Sequence, residues 1–79
     1  MKVHVKLFAS LRKYLPPGSG GDRLTLELPD GAAVRDAIAQ LGIPLEHARM
    51  IVSENEQLES TSPLQDGQEI NLFPPLAGG

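Results

Sequence analysis

The sequence predicts a small α+β domain in which one main helix packs against one face of a small mixed β-sheet. Three observations lead to this fold class. Polar and apolar residues alternate from Lys2 to Phe8, which is the period of a half-buried strand. Apolar residues recur at helical spacing from Val34 to Leu41. The predicted order is strand, strand, helix, strand, short strand, strand, and it suits two packed layers.

The predicted strands follow from period-two patterns. In the first, Val3, Val5 and Leu7 face the core, and Phe8 lies on the opposite face. The second strand alternates Leu24, Leu26 and Leu28 with polar residues, and it pairs antiparallel with the first. The third covers residues 50–52, Leu58 begins a brief fourth pairing, and the last covers residues 69–73. Residues 53–57 form a connection that is longer than a tight turn.

The helix carries its apolar face on Val34, Ala37, Ile38 and Leu41. Gly42 ends it, because glycine adopts the left-handed conformation that closes a helix, and Pro44 prevents its continuation. Ala33 stands where a capping Ser or Thr is expected. The sequence therefore assigns the capping role to Asp30.

Composition excludes several classes of function. The 79 residues suffice for one small domain, and a formal net charge of −3 gives no electrostatic support for binding nucleic acid. No apolar run is long enough to span a membrane, and we expect a cytoplasmic protein. The absence of cysteine excludes disulfides, thiol nucleophiles and thiolate-bound metals.

The remaining polar residues do not form a recognisable active site. His4 and His47 have no ligand-like spacing, so we expect surface residues and no metal site. The glycine-rich loop after Pro17 lacks the Lys-Ser/Thr of a phosphate-binding loop and is interpreted as a plain connection. Glu54, Glu56 and Glu59 indicate a solvated turn rather than a cation site. The chain is therefore predicted to present a group to an enzyme and not to be one.

That group lies at the end of the chain, which reads Pro74-Pro75-Leu76-Ala77-Gly78-Gly79. Residues 1–73 form the predicted domain and residues 74–79 an extended tail. The prolines resist folding back into a sheet, and six extended residues reach about 20 Å. Gly78 and Gly79 have no Cβ, so they suit a narrow channel. The α-carboxylate of Gly79 is sterically open to attack.

Two segments resemble the MoaD/ThiS sulfur-carrier family, which has the ubiquitin-like β-grasp fold. The weaker match is Leu7-Phe8-Ala9-Ser10-Leu11-Arg12. The stronger one runs from Pro63 through Asp66-Gly67 to Ile70, and then from Leu72 to the terminal Gly-Gly. The resemblance covers essentially the whole chain. It is strongest to the branch that serves as the small subunit of molybdopterin synthase.

The resemblance implies a mechanism and a set of partners. An E1-like adenylyltransferase, similar to MoeB, uses MgATP to adenylate the Gly79 carboxylate, and no cofactor is bound by the carrier. A persulfide donor then converts this end to a thiocarboxylate. The tail enters the large subunit of molybdopterin synthase, similar to MoaE, where the sulfur forms the dithiolene of molybdopterin.

The resemblance also implies a partner-binding surface beside the tail. By position, Phe8, Phe73 and Leu58 match its apolar members, and Pro74, Pro75, Leu76 and Ala77 enter the partner with the glycines. Four alternatives remain open for these residues and for the tail. In the first, the three apolar residues are ordinary core residues. In the second, the carrier serves another pathway such as thiamine synthesis, tRNA thiolation or cysteine synthesis, and in the third the chain is a ubiquitin-like modifier of lysines. The fourth alternative is an adaptor whose Gly-Gly end is unused.

Overall fold

A computed structural model describes residues 1–16 and 21–75 of the chain. Within these ranges the chain forms five strands, one α-helix and two short 3-10 helices. The strands are β1 (Lys2–Leu7), β2 (Arg23–Glu27), β3 (Met50–Ser53), β4 (Glu56–Leu58) and β5 (Glu69–Phe73). The α-helix α1 is Val34–Leu41, and the 3-10 helices are Ala9–Tyr14 and Leu45–His47.

The five strands form one mixed sheet in the order β2-β1-β5-β3-β4. The central pair, β1 and β5, is parallel, and all other neighbours are antiparallel. Chain order and sheet order differ because β5 inserts between β1 and β3. The α+β class and the mixed sheet with one main helix are confirmed.

The core lies between the sheet and α1. Alternation along β1 buries Val3, Val5 and Leu7 completely, and the helical spacing buries Val34, Ala37 and Ile38. From β5, Ile70 and Leu72 fill the centre of this layer. Among the described residues, no α-helix packs on the opposite face of the sheet, which we call the open face.

The N-terminus of α1 is stabilised differently from the prediction. Asp30 does not cap the helix. Instead, the Asp36 carboxylate accepts a hydrogen bond from the backbone N–H of Ala33 at 2.8 Å, and Ala33 itself has no side-chain acceptor to complete a capping box. A carboxylate in the first turn also interacts favourably with the helix dipole. The predicted end is confirmed, because Gly42 follows α1 with a φ of 78°.

The connection between β3 and β4 is shorter than predicted. Only Glu54 and Asn55 lie between the paired residues Ser53 and Glu56. Both turn residues have positive φ, 51° and 67°, as a two-residue hairpin with the twist of its strands requires. The prediction of a longer connection was wrong, because the sequence lacks the Asn-Gly or Asp-Gly that normally marks such a turn.

Through the described parts of the chain, no helix is both long enough and apolar enough to cross a membrane.

Candidate functional site

The root of the tail lies at the centre of one end of the sheet. Because β1 and β5 are parallel, Leu7 and Leu72 are partners at this same end. The backbone N–H of Phe8 donates to the carbonyl of Leu72 at 3.1 Å, and the N–H of Arg49 donates to that of Phe73 at 3.0 Å. Neighbouring chain segments on both sides therefore hold the last residues of β5, from which Pro74 and Pro75 lead away.

Two aromatic side chains mark the open face beside this root. Phe8 follows the end of β1 and Phe73 ends β5, and their rings stack with centroids 4.3 Å apart and planes 16° apart. Each side chain remains half-buried, with one side covered by the other ring. The Nζ atom of Lys6 lies 5.2 Å from the centroid of Phe8, within the range of a cation–π interaction.

The apolar surface extends from the phenylalanines onto β3. Met50 is the cross-strand partner of Phe73 and is 47% exposed. Val52 lies two residues further along the same face of β3 and is partly exposed. We call these four residues (Phe8, Phe73, Met50 and Val52) the open-face patch. Met50 and Val52 were not predicted from the sequence, although the burial of Ile51 between them follows the period-two pattern that places both on the open face.

Leu58 does not join this patch. It pairs with Ile51 and packs against the core on the helix side of the sheet. Its neighbour Gln57 pairs with Val52 and therefore lies on the open face. The structure brings Phe8 and Phe73 together on the open face. It places Leu58 on the helix side of the sheet, which fits the alternative that Leu58 is a core residue. A partner-binding role for Leu58 stays a prediction.

The proposed tail residues are only partly described. Pro74 is half-buried and Pro75 is exposed, whereas Leu76, Ala77, Gly78 and Gly79 lie outside the described residues. Beside the prolines is a groove of about 250 Å³, lined also by residues of both 3-10 helices. The tail root is thus bordered by the open-face patch and by this groove.

The acidic turn at the other end of the sheet lines a polar depression of about 410 Å³ that includes Glu54, Glu56 and Asp66. Within residues 1–16 and 21–75, no three His, Asp or Glu side chains converge as metal ligands would. His4 is part of the open face, where its Nδ1 lies 3.0 Å from the hydroxyl of Thr25. His47 is exposed on the second 3-10 helix.

Known proteins are similar to this chain in sequence and in fold. The ThiS family model matches residues 5–79. The molybdopterin synthase sulfur carrier subunit of Haemophilus influenzae is 33% identical over 98% of this chain and 99% of its own length. The protein of the same name from Escherichia coli is 29% identical over the same shares of the two chains.

Solved structures extend the likeness to archaeal proteins. A Pyrococcus furiosus protein assigned as molybdopterin converting factor, subunit 1, has a TM-score of 0.70 at 30% identity, over 95% of this chain and 98% of its own. SAMP1 from Haloferax volcanii has a TM-score of 0.71 at 25% identity, over 100% of both chains. These likenesses confirm the ubiquitin-like β-grasp fold, and the chain belongs to the ThiS/MoaD family of ubiquitin-like sulfur-carrier proteins.

Proposed function

We propose that this chain is the small, sulfur-carrying subunit of a molybdopterin synthase. The observation that carries the proposal is the stacked pair of Phe8 and Phe73, left half-exposed at the root of a Gly-Gly tail. Exposed aromatic side chains are unfavourable in water and are frequent anchors of interfaces. Relatives matched over nearly their full length carry the name of this subunit, and they support the choice of pathway.

The chemistry is assigned to the Gly79 carboxylate. A free carboxylate is a poor electrophile because its leaving group would be oxide. When one of its oxygens attacks the α-phosphorus of ATP, pyrophosphate leaves and an acyl-adenylate forms. The terminal sulfur of a persulfide then attacks the acyl carbon and displaces AMP. A second thiol cleaves the resulting S–S bond, which leaves a thiocarboxylate on Gly79 and a disulfide on the donor side.

Partners supply every catalytic group in this scheme. The chain has no cysteine, so the persulfide and the reducing thiol belong to the donor system, and MgATP belongs to the E1-like adenylyltransferase. The carrier itself is a non-catalytic substrate of its partners in the cytoplasm. Its contribution is to hold the tail at a defined place beside a surface that the partners recognise.

The open-face patch is that surface in the proposal. It lies directly beside the tail root, so a partner that covers the patch also receives the tail. When a partner covers an aromatic side chain and the neighbouring Met50, the apolar area removed from water stabilises the complex by about 25 cal/mol per Å². The large synthase subunit therefore gains affinity from the patch and positions the thiocarboxylate through the tail.

The test is to incubate the chain with an E1-like adenylyltransferase, MgATP and a persulfide donor, and to fragment the intact protein in a mass spectrometer. We expect a sulfur-for-oxygen exchange localised to Gly79. Localisation is necessary because oxidation of Met1 or Met50 changes the intact mass by nearly the same amount.

Deletion of Gly79 is expected to abolish the exchange, because the new terminal carboxylate on Gly78 is one residue short of the adenylation site. A second variant is extended by one glycine, which retains Gly79 but moves the carboxylate outward. It should also lose the sulfur-for-oxygen exchange. Normal exchange in the deletion variant would show that the position of the carboxylate does not matter, and would contradict the proposal.

A ubiquitin-like modifier is the second candidate, favoured by the likeness to SAMP1 over the whole of both chains. The first step is the same, but the activated Gly79 then acylates a lysine amine. The same incubation with cell extract separates the candidates: isopeptide-linked conjugates indicate a modifier. A thiocarboxylate that the large synthase subunit and a pterin precursor leave unused indicates a carrier for another pathway.

A further inference from the structure

The charged side chains are unevenly distributed between the two ends of the sheet. All seven Lys and Arg and all ten Asp and Glu of the chain lie within the described residues. Strand pairing and neighbouring contacts assign fourteen of these side chains to an end, whereas Arg35 and Asp36, on α1, and Glu59, after β4, are assigned to neither. Leu7, Met50 and Phe73 mark the end from which the tail leaves, and Lys2, Glu27 and Glu69 mark the opposite end.

The tail end is basic although the chain is acidic. Five of the seven cationic side chains lie there, together with two carboxylates. The cations are Lys6, Arg12, Lys13, Arg23 and Arg49, and the carboxylates are Asp22 and Glu46.

The opposite end carries six side-chain carboxylates and two cations, which are Lys2 and the α-ammonium of Met1, 3.8 Å from the Asp30 carboxylate. The carboxylates are Glu27, Asp30, Glu54, Glu56, Asp66 and Glu69. A net charge of −3 therefore conceals a dipole whose positive end lies near the tail root.

One of the basic residues is already engaged. The guanidinium of Arg23 reaches along the sheet to the Glu69 carboxylate at 3.3 Å, which compensates its charge. The other four at this end, Lys6, Arg12, Lys13 and Arg49, form what we call the basic collar. Two of them have defined positions relative to aromatic rings: Lys6 lies over Phe8, and the Nζ of Lys13 lies 5.5 Å from the centroid of Tyr14.

The groove beside the tail root belongs to this collar. Lys13 and Tyr14 line it from the first 3-10 helix, His47 from the second, and Pro74 and Pro75 from the tail root. Its volume of about 250 Å³ is sufficient for a side chain of a partner. Its walls combine a cation with an aromatic ring and proline rings, which suits a side chain with an apolar stem and an anionic tip.

We propose that the basic collar docks on an acidic margin around the tail-receiving cavity of the large synthase subunit, with a carboxylate of that margin seated in the groove against Lys13. This inference rests on the proposed function, because it requires that the tail enters that subunit. The collar residues lie at the end of the sheet from which the tail leaves, so a partner that receives the tail there comes close to these charges.

The arrangement has a kinetic consequence. Opposite charges at the contact ends accelerate diffusional encounter and orient it, whereas net charge acts without regard to orientation. The acidic far end is repelled by the same margin, which disfavours approach with the tail pointing away. The collar therefore raises the association rate of the productive orientation.

The experiment compares two double variants with the same net charge. Lys13→Glu/Arg49→Glu reverses two collar charges, and Lys2→Glu/Arg35→Glu reverses two exposed cations away from the tail. Each reversal adds two negative charges, so both variants carry −7 in place of −3. Association and dissociation rates with the large synthase subunit are measured by stopped-flow at low and high salt, after thermal unfolding has shown that both variants are folded.

We expect the collar variant to associate roughly tenfold or more slowly at low salt, with most of the difference lost at high salt because salt screens exposed charges. The control variant should stay within about twofold to threefold of the wild-type rate. Equal slowing of both variants would assign the effect to net charge and overturn the inference. Unchanged association of the collar variant would overturn it as well. If the wild-type chain does not bind the large subunit at all, the proposed function fails, which is a separate result.

Discussion

At the scale of single residues, the stacked aromatic pair shows how the proposed binding surface is stabilised in the free protein. Stacking covers one side of each ring, and an aromatic pair stabilises by about 0.5–1.5 kcal/mol beyond the burial of area. Phe8 and Phe73 thus remain half-exposed on the open face and do not enter the core. The residues next to them in sequence, Leu7 and Leu72, are fully buried on the other face.

Phe73→Ala is expected to weaken binding to the large synthase subunit by at least about tenfold, since central aromatic anchors commonly contribute 2 kcal/mol or more. The free energy of unfolding should fall by no more than about 1.5 kcal/mol, because mainly the stacking with Phe8 is lost. Calorimetric titration and urea denaturation measure the two effects. Thr25→Ala, on the open face of β2, serves as the control for binding. A variant that no longer unfolds cooperatively would show that Phe73 is a core residue.

At the scale of elements, the turn of the β3–β4 hairpin adopts backbone angles that its residues do not favour. Glu54 and Asn55 both adopt positive φ, which is unfavourable for Glu, because its Cβ crowds the following carbonyl oxygen and its side chain lacks the short-range hydrogen bonding of Asn. The residue before the turn, Ser53, is fixed by two hydrogen bonds to the start of β5. Its hydroxyl donates to the Glu69 carbonyl at 2.7 Å and accepts from Gln68 Nε2 at 3.1 Å.

Glu54→Asn combined with Asn55→Gly is expected to raise the free energy of unfolding by about 1 kcal/mol, because Asn-Gly favours the positive φ angles that this turn requires. Thermal and urea unfolding measure the change. Glu56→Gln removes a neighbouring carboxylate without altering the turn, and it should leave stability within about 0.5 kcal/mol. An equal gain in this control would attribute the stabilisation to reduced charge repulsion at the acidic end.

At the scale of the whole molecule, the parallel pairing of β1 with β5 determines where the proposed binding surface lies. It brings Phe8 from the start of the chain to Phe73 near its end, and it places the tail root in the middle of the sheet. The same pairing buries Leu72 between the sheet and α1 with no exposed surface. Adjacent residues of β5 therefore lie in different environments: Leu72 packs in the core and Phe73 lies on the open face.

Leu72→Ala is expected to cost 2–5 kcal/mol of stability, in the usual range for truncating a buried leucine. Small domains have only about 5–15 kcal/mol in total, so this variant should show a large shift of the urea midpoint. The open-face variant Phe73→Ala is its matched comparison, one residue away. If the free energy of unfolding falls by less than about 1 kcal/mol, neighbouring side chains must rearrange to fill the space left by Leu72, and the prediction is contradicted.

Elements with strong local periodicity could be predicted from sequence. The alternation in β1 correctly assigned Val3 to the core and Phe8 to the opposite face, and the spacing from Val34 to Leu41 matches the bounds of α1. Short elements were less well determined. For β4, a single leucine did not reveal that Glu56 and Gln57 belong to the strand, nor that Leu58 faces the core.

The sequence alone determined most of the local structure and predicts the chemistry proposed for the tail, because periodicity, glycine, proline and the absence of cysteine act within a few residues. Only the tertiary structure decided which residues share a surface: the stacking of Phe8 on Phe73, the addition of Met50 and Val52, the position of Leu58 on the other face, and the basic end around the tail root. The physical reason is strand register. A shift of one residue in pairing moves a side chain to the other face, and register between distant strands depends on packing across the whole sheet.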